Sequence, residues 1–298
     1  MIGVLPPFEY YRPSSLEEAL AVLARFDGEV LPYAGGTDLL VALKQKKALP
    51  RALMDVKWIP ELNALRLQDA GLSVGAAVTA RALARSVLLR EGWPVLAQAS
   101  GTLGSMQIGN RATLGGNLCN ASPAADGAPP LLALDARVKL VGRDGGRELP
   151  LEKFFVGPKR TVADRELLTE IVIPEMPPRS RGVFLKLGPR GAPEDIAIVS
   201  VAVVAVPDAA QERWQEVRIA LGAVAPTPVR ARRAEQALAG RPIDRSAIES
   251  ASRVAAAEDA RPIDDLRGSA SYRRAMVGVL VGRALADLAG QIRPEGAT

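Results

Sequence analysis

Residues Gly104 to Asp126 constrain the fold more than any other part of this chain: they read Gly-Ser-Met-Gln-Ile-Gly-Asn-Arg-Ala-Thr-Leu-Gly-Gly-Asn-Leu-Cys-Asn-Ala-Ser-Pro-Ala-Ala-Asp. A stretch so dense in Gly, Asn, Ser and Thr cannot bury much apolar side chain, so its packing must come largely from backbone and polar contacts, as in a ligand-binding loop. A second segment, Ala34-Gly35-Gly36-Thr37-Asp38, shares a form with Gly115-Gly116-Asn117: two adjacent glycines followed by small polar residues. Paired glycines permit positive φ and expose consecutive N–H groups with no Cβ in the way, which is what a diphosphate needs from a protein. Two such loops could grip one diphosphate together. The competing reading is two ordinary tight turns, which is how the third pair, Gly145-Gly146, is read.

Composition removes whole classes of chemistry. The 298 residues include no histidine and one cysteine, Cys119. A Ser-His-Asp triad, a mixed Cys/His zinc site and a histidine general base are impossible, and the chain alone cannot hold a four-cysteine iron-sulfur cluster or an intrachain disulfide. Any redox chemistry must therefore be carried by an organic cofactor, with metal centres on another polypeptide. Neither a Walker-type phosphate loop nor a Gly-x-Gly-x-x-Gly turn is present. The net charge of +5 permits nucleic-acid binding. The basic residues are scattered, however, without interleaved aromatics that could stack on bases. The longest apolar run, Ile196 to Val206, reads as a buried strand rather than a membrane span. Met1 to Tyr11 lacks the pattern of a secretory signal, which predicts a cytoplasmic protein.

The pattern along the chain is mixed. Ser14 and Ser15, spaced from Glu17 and Glu18 as a capping box, predict a helix with Leu16, Leu20, Leu23 and Phe26 on its apolar face, ending at Gly28. Glu29 to Tyr33 reads as a strand running into the first glycine pair, followed by a helix over Leu39 to Lys46. Strands are expected at Ala52 to Val56 and Leu72 to Val78. Thr79 is read as the cap of one helix, Ala80 to Arg90, and Val95 to Thr102 as a further small-residue helix. The segment Pro174-Glu175-Met176-Pro177-Pro178 is the best domain boundary. Beyond it lie strands (Val183 to Leu187, Ile196 to Val206, Glu216 to Val224) and then helices (Val229 to Ala239, Ser246 to Ala257, Ser271 to Leu288), an α+β order.

These residues carry a family resemblance. Ala34-Gly35-Gly36-Thr37-Asp38-Leu39-Leu40, with Ala112-Thr113-Leu114-Gly115-Gly116-Asn117-Leu118-Cys119-Asn120-Ala121-Ser122-Pro123 and Asp126, resembles the FAD-binding medium subunit of the molybdenum hydroxylases, the family of xanthine dehydrogenase, carbon monoxide dehydrogenase and 4-hydroxybenzoyl-CoA reductase. The opening Pro7-Phe8-Glu9-Tyr10 with Pro13-Ser14-Ser15, and Asp264-Asp265-Leu266-Arg267-Gly268-Ser269-Ala270-Ser271-Tyr272-Arg273-Arg274 near the end, extend the likeness over nearly the whole chain. The benzoyl-CoA reductase branch carries an additional cysteine-ligated iron-sulfur insertion, which one cysteine cannot build.

The resemblance implies an α+β chain: a vanillyl-alcohol-oxidase (PCMH)-type FAD-binding domain over 1–177, in subdomains of about 1–57 and 58–177, then a smaller domain over 178–298 with an antiparallel sheet and a helical bundle. By position, it implies that Tyr33, Ala34, Gly35, Gly36, Thr37, Asp38 and Leu39 follow the diphosphate with backbone amides, and that Thr113, Gly116, Asn117 and Asn120 complete that grip. Ala76, Ala112, Gly115, Cys119 and Ala124 go with the same cofactor site, Cys119 as a small buried filler rather than a redox thiol. Asp126 is implied to hydrogen-bond the ribityl or adenosine part, Leu103 and Gly104 to lie beside adenine and ribose, and Leu168 to line the adenine. Lys186 is implied near the flavin ring, where a cation would stabilise negative charge on the reduced flavin, and Ile196 packed on the isoalloxazine. FAD is expected to be non-covalent, since no histidine can tether it. Partners are implied too: a molybdenum-cofactor large subunit and a [2Fe-2S] small subunit, in a dimer of heterotrimers, with no catalytic side chain and no metal ligand on this chain. The rival functions are a free-standing flavin oxidoreductase and a flavin-free basic scaffold or nucleic-acid-binding module.

Overall fold

A computed structural model describes residues 4–292. The first layer is a small parallel sheet of β1 (Glu9–Tyr11), β2 (Val30–Tyr33) and β3 (Ala52–Asp55), in the order β1-β3-β2, with α1 (Leu16–Phe26) and α2 (Leu39–Lys44) in the connections. Ser15 caps α1, its hydroxyl accepting from Glu18 N at 3.2 Å, and Glu18 reaches back to Ser14 N at 2.7 Å. The capping box is therefore closed through Ser14 rather than through Ser15 itself. Asp27 and Gly28, both at positive φ, end the helix.

The second layer is an antiparallel sheet of β4 (Leu65–Gln68), β5 (Gly71–Gly75), β6 (Arg137–Gly142), β7 (Gly145–Pro150) and, later in the chain, β10 (Leu167–Pro174), in the order β4-β5-β10-β6-β7. Between β5 and β6 run six short helices: α3 (Ala80–Arg85), α4 (Val87–Gly92), α5 (Pro94–Gly101), α6 (Met106–Gly109), α7 (Leu114–Cys119) and α8 (Ala128–Ala133). The helix expected over Ala80 to Arg90 is thus two. Ser86 ends the first in an extended conformation and caps the second through its hydroxyl, a competition with the helical backbone that serine offers more readily than most residues. The polar stretch after Gly104 contains two of the short helices, capped by Ser105 and Thr113, and Leu114 and Leu118 enter the core. The expected hairpin joins β6 to β7, but its two turn residues are Arg143 and Asp144; Gly145, at φ +104°, pairs with Gly142 and opens β7 together with Gly146. A two-stranded hairpin, β8 (Phe155–Gly157) and β9 (Arg160–Thr161), precedes β10.

The third layer is an antiparallel sheet of β11 (Arg181–Leu187), β12 (Val199–Pro207), β13 (Trp214–Gly222) and β14 (Val229–Arg230), followed by α9 (Arg232–Leu238), α10 (Arg245–Val254) and α11 (Ala270–Ile292). All nine residues of β12 are buried, because both faces of this sheet are covered. Ala202 and Val204 pack into the core shared with α5 and α8, while Val201, Val203 and Ala205 pack under the C-terminal helices. A strand covered on both sides loses the alternation of a half-exposed one and reads as a continuous apolar run. The expected strand began too early, however: Ile196 sits in the preceding loop, 60% exposed. The expected helix from Val229 yields its first residues to β14.

α11 is long and apolar enough by length and composition to cross a membrane, with a mean hydropathy of 1.4 over its best window, a run the sequence reading passed over. In this fold Val277, Val281, Ala284, Leu285 and Leu288 of α11 lie in the C-terminal core, and the Arg273 guanidinium is buried in its first turns. It is a core helix.

Candidate functional site

Where the three layers meet, a cavity of about 690 Å³ opens between the two glycine loops. The loop after β2 supplies Ala34, Gly35, Gly36, Thr37, Asp38 and Leu39; β5 is followed by Ala76; the polar stretch supplies Leu103, Gly104, Ala112, Thr113, Gly115, Gly116, Asn117, Cys119, Asn120, Ala124 and Asp126; β10 supplies Leu168; and the loop before β12 supplies Ile196. The structure thus brings together every residue expected at the cofactor site except Tyr33 and Lys186, which stand behind the wall. A larger concavity of about 860 Å³, lined by Gln68, Trp93, Glu175 and Arg181 among others, contains none of the expected residues. Size alone does not locate the chemistry.

The glycines divide into two kinds. A Cβ on Gly35 would run into the backbone carbonyl of Arg111, and one on Gly115 would lie 2.6 Å from the Ala76 carbonyl oxygen. Both are glycine because another strand of backbone passes at contact distance, which clamps the first loop to the second and the second to the end of β5. Gly36 is different, with φ +73°, and only this position in the two pairs needs the left-handed region. The second pair is helical, within α7, and its amides are engaged: Gly115 N donates to Ala76 O at 2.9 Å and Gly116 N to the Thr113 hydroxyl at 3.1 Å. The expectation that both pairs expose consecutive N–H groups therefore holds for one loop only. The amides of Gly35, Gly36, Thr37 and Asp38 donate to no group among the described residues.

The second loop is tied by its own side chains. Asn117 Oδ1 accepts from Gly127 N at 3.1 Å, linking α7 to α8. Lys159, in the hairpin between β8 and β9, donates from Nζ to Asn120 Oδ1 at 2.8 Å and from its backbone N to Ala121 O at 2.8 Å. Lys159 lines the cavity, as do Glu194, Asp195 and Arg267, none of which the sequence singled out for the site. Each comes from a turn that tertiary packing brings to the rim, so no local spacing marks it as a site residue. Arg267 belongs to the C-terminal signature already noted in the sequence. The turn carrying it is held by the buried Arg273, which donates to Ile198 O at 2.7 Å, Ala223 O at 2.8 Å and Asp265 Oδ1 at 2.6 Å.

Asp126 and Lys186 form the most buried ion pair at the site. Lys186 lies on β11 two residues after Phe184, so both face the second layer, and its Nζ donates to Asp126 Oδ2 at 2.8 Å and to Thr102 O at 2.7 Å. Side-chain exposures are 3% and 9%. Burial pushes the Asp126 carboxyl up to about 6, with the Lys186 ammonium acting against that rise. The other carboxylate oxygen, Oδ1, is buried and has no partner among the described residues. The lysine expected beside the flavin ring is therefore committed to a carboxylate and a carbonyl behind the wall, and its charge reaches the cavity through Asp126.

Cys119, expected as a buried filler, is exposed and lines the cavity. Although the thiol touches cavity solvent, protein surrounds it on its other sides and pushes it up to about 12.

FAD is accommodated by these features: a cavity within the usual range for cofactor sites, a run of free amides for phosphate oxygens, and an unpartnered buried carboxylate oxygen that can accept from a hydroxyl. Comparison with known proteins agrees. Residues 6–176 match the family described as FAD binding domain in molybdopterin dehydrogenase, and residues 184–288 match the CO dehydrogenase flavoprotein C-terminal domain. The carbon monoxide dehydrogenase medium chain of Hydrogenophaga pseudoflava is 33% identical, covering 95% of this chain and 97% of its own. The glyceraldehyde dehydrogenase medium chain of Sulfolobus acidocaldarius is 32% identical, covering 95% and 99%. Among solved structures, carbon monoxide dehydrogenase from Hydrogenophaga pseudoflava superposes with a TM-score of 0.91 at 33% identity, covering 97% of this chain and 99% of that one. Quinoline 2-oxidoreductase from Pseudomonas putida 86 gives 0.90 at 29% identity, covering 97% and 99%.

Proposed function

The chain belongs to the family of FAD-binding medium subunits of the molybdenum hydroxylases, and from that premise we propose that it is the electron-transfer subunit of a heteromeric complex, receiving electrons from [2Fe-2S] clusters of one partner and passing them to an external acceptor. The substrate-oxidising molybdenum cofactor belongs, in this reading, to a large partner subunit, the assembly is a dimer of heterotrimers, and its place is the cytoplasm. A chain with one cysteine and no histidine cannot ligate an iron-sulfur cluster by itself, which fits separate partners. Bound FAD supplies the exchange between one-electron and two-electron carriers.

The observation that carries the reading is the run of free amides from Gly35 to Asp38 on the cavity wall, opposite Asn117 and the unpartnered Oδ1 of Asp126. In this proposal the amides of the first loop hold the diphosphate, Thr113, Gly116, Asn117 and Asn120 close over it, and Asp126 Oδ1 accepts from a hydroxyl of the ribityl or adenosine part. Leu103, Gly104 and Leu168 wall the adenosine end. Ile196 covers the ring and keeps water from that face. Lys186 neutralises Asp126 from behind. We place the division between the two domains at 177/178, in the proline-rich connection from β10 to β11.

The test is the visible spectrum of the purified chain, with the cofactor released by heat and identified by mass. An oxidised-flavin spectrum with FAD in the supernatant supports the reading, and co-purification of an iron-sulfur and a molybdenum subunit with the tagged chain extends it. A folded chain that takes up no FAD, or one that turns over substrate without partners, defeats it, the second result favouring the free-standing oxidoreductase.

A further inference from the structure

The free amides of Gly35 to Asp38 raise a question of shape, because a loop whose N–H groups bond to nothing is not held by its own hydrogen bonds. It must be held from behind. Gly35 is pressed on the Arg111 carbonyl, as described. Gly36 is backed by the ring of Tyr33, whose Cε2 occupies the place a Cβ would take. That ring is itself covered by Lys57, with Nζ 3.6 Å from the ring centroid. The Lys57 ammonium lies 2.6 Å from Asp55 Oδ1, an ion pair without hydrogen-bond geometry, and the Asp55 side chain is only 4% exposed. Asp55 Oδ2 in turn accepts from the Tyr10 hydroxyl at 2.6 Å, and Oδ1 accepts from Lys57 N at 3.2 Å.

Tyr10, Tyr33 and Asp55 sit at or near the carboxyl ends of three neighbouring parallel strands, with Tyr33 and Asp55 facing each other in register. This is the end of a parallel sheet where ligand loops emerge. Neither Asp55, Lys57, Tyr10 nor Tyr33 lines the cavity.

We infer that Asp55, Lys57 and Tyr33 are positioning residues that hold the Gly36 turn in its ligand-binding shape: the carboxylate fixes the ammonium, the ammonium fixes the ring by a cation–π contact, and the ring supports the only positive-φ residue of the loop. The inference rests on the FAD reading and adds to it a pre-organised loop, for which rigidity set in advance raises affinity by reducing the ordering cost on binding. Lys57 does not line the cavity, and Tyr33 is the side chain that its ammonium covers, so its effect on binding is expected to depend on the presence of the ring.

The experiment compares FAD dissociation constants of the full chain, by titration of the cofactor-stripped protein, for wild type, Lys57→Met, Lys57→Arg, Tyr33→Phe, Tyr33→Leu and the double variant Lys57→Met/Tyr33→Leu. Lys57→Met and Tyr33→Leu are expected each to weaken binding about tenfold, the size of a partly desolvated cation–π contact. Lys57→Arg and Tyr33→Phe, which keep the cation and the ring, are expected to rescue it to within about threefold of wild type on the same basis. The double variant is expected to bind no worse than either loss variant alone, since the contacts act in series. Lys57→Met binding as wild type does overturns the relay, as does Lys57→Arg failing as badly as Lys57→Met, or losses that simply multiply. A wild-type chain that binds no FAD overturns the functional reading itself, and that outcome is visible before any variant is made.

Discussion

Lys186 Nζ lies 2.8 Å from Asp126 Oδ2, joining the third layer to the second through a buried ion pair at the cavity wall. The pair ties the C-terminal sheet to the wall of the cofactor site. Replacing the lysine removes the group that holds the Asp126 carboxyl down, so the carboxyl takes up a proton more readily and stays buried without its partner. Lys186→Met is expected to lower stability by about 1–3 kcal/mol and to weaken FAD binding, measured by denaturant unfolding and by flavin titration. A variant as stable as wild type would show that the two side chains are not in contact in solution.

The same pair sets a pH dependence. Asp126 is raised to about 6 in the fold, chiefly by burial, against about 3.9 for an ordinary aspartate in the unfolded chain. Between those values the folded form keeps a proton that the unfolded form releases, so this carboxyl's contribution to stability is fully present below the lower value and is lost as pH rises through the higher one. Asp126→Asn mimics the protonated group. The stability of Asp126→Asn relative to wild type is expected to rise from about pH 4 to about pH 6 and to level off above, a difference curve in which the other carboxylates cancel. A flat curve would contradict the burial of this group.

The glycine pairs make a contrast that thermal unfolding can read. Gly35→Ala and Gly115→Ala place a methyl against backbone that cannot turn aside, and each is expected to cost about 1–3 kcal/mol and to impair FAD binding. Gly146→Ala, where the nearest atom is 3.8 Å away, is expected to stay within about 0.5 kcal/mol of wild type.

Cys119 reports occupancy of the cavity. With its thiol pushed up to about 12, alkylation of the FAD-free chain is expected to be slow at neutral pH and to keep accelerating well past the point, near about 8.5, where an ordinary thiol levels off. Added FAD is expected to block it. Mass spectrometry after timed alkylation checks both; labelling as fast with FAD as without would place the cofactor elsewhere.

Ile196 projects from the loop before β12 and is 60% exposed, so Ile196→Ala is expected to change stability by less than about 0.5 kcal/mol. If Ile196 covers the flavin ring, the same change is expected to shift the bound-flavin absorption spectrum and reduction potential. A spectrum identical to wild type would remove Ile196 from the site.

Much of this architecture was legible in the chain itself, for reasons that are local. Helix caps at Ser15 and Thr79, the hairpin that leads into Gly145 and the doubly covered strand around Val201 are each encoded within a few residues, by hydroxyls placed to accept from nearby amides, by glycine's freedom at positive φ, and by an unbroken apolar run. The absence of histidine and the single cysteine excluded catalytic classes before any folding was considered. The tertiary structure alone decided which partner each buried charge would find. Lys186 meets a carboxylate 60 positions away, Arg267 and Lys159 arrive at the cavity from distant turns, and the ring of Tyr33 lies against Gly36. Short-range spacing specifies turns and faces. The close approach of two backbones at Gly35 and Arg111, or of an ammonium to an aromatic ring at Lys57 and Tyr33, is set by how whole layers pack, and no window of sequence contains both members.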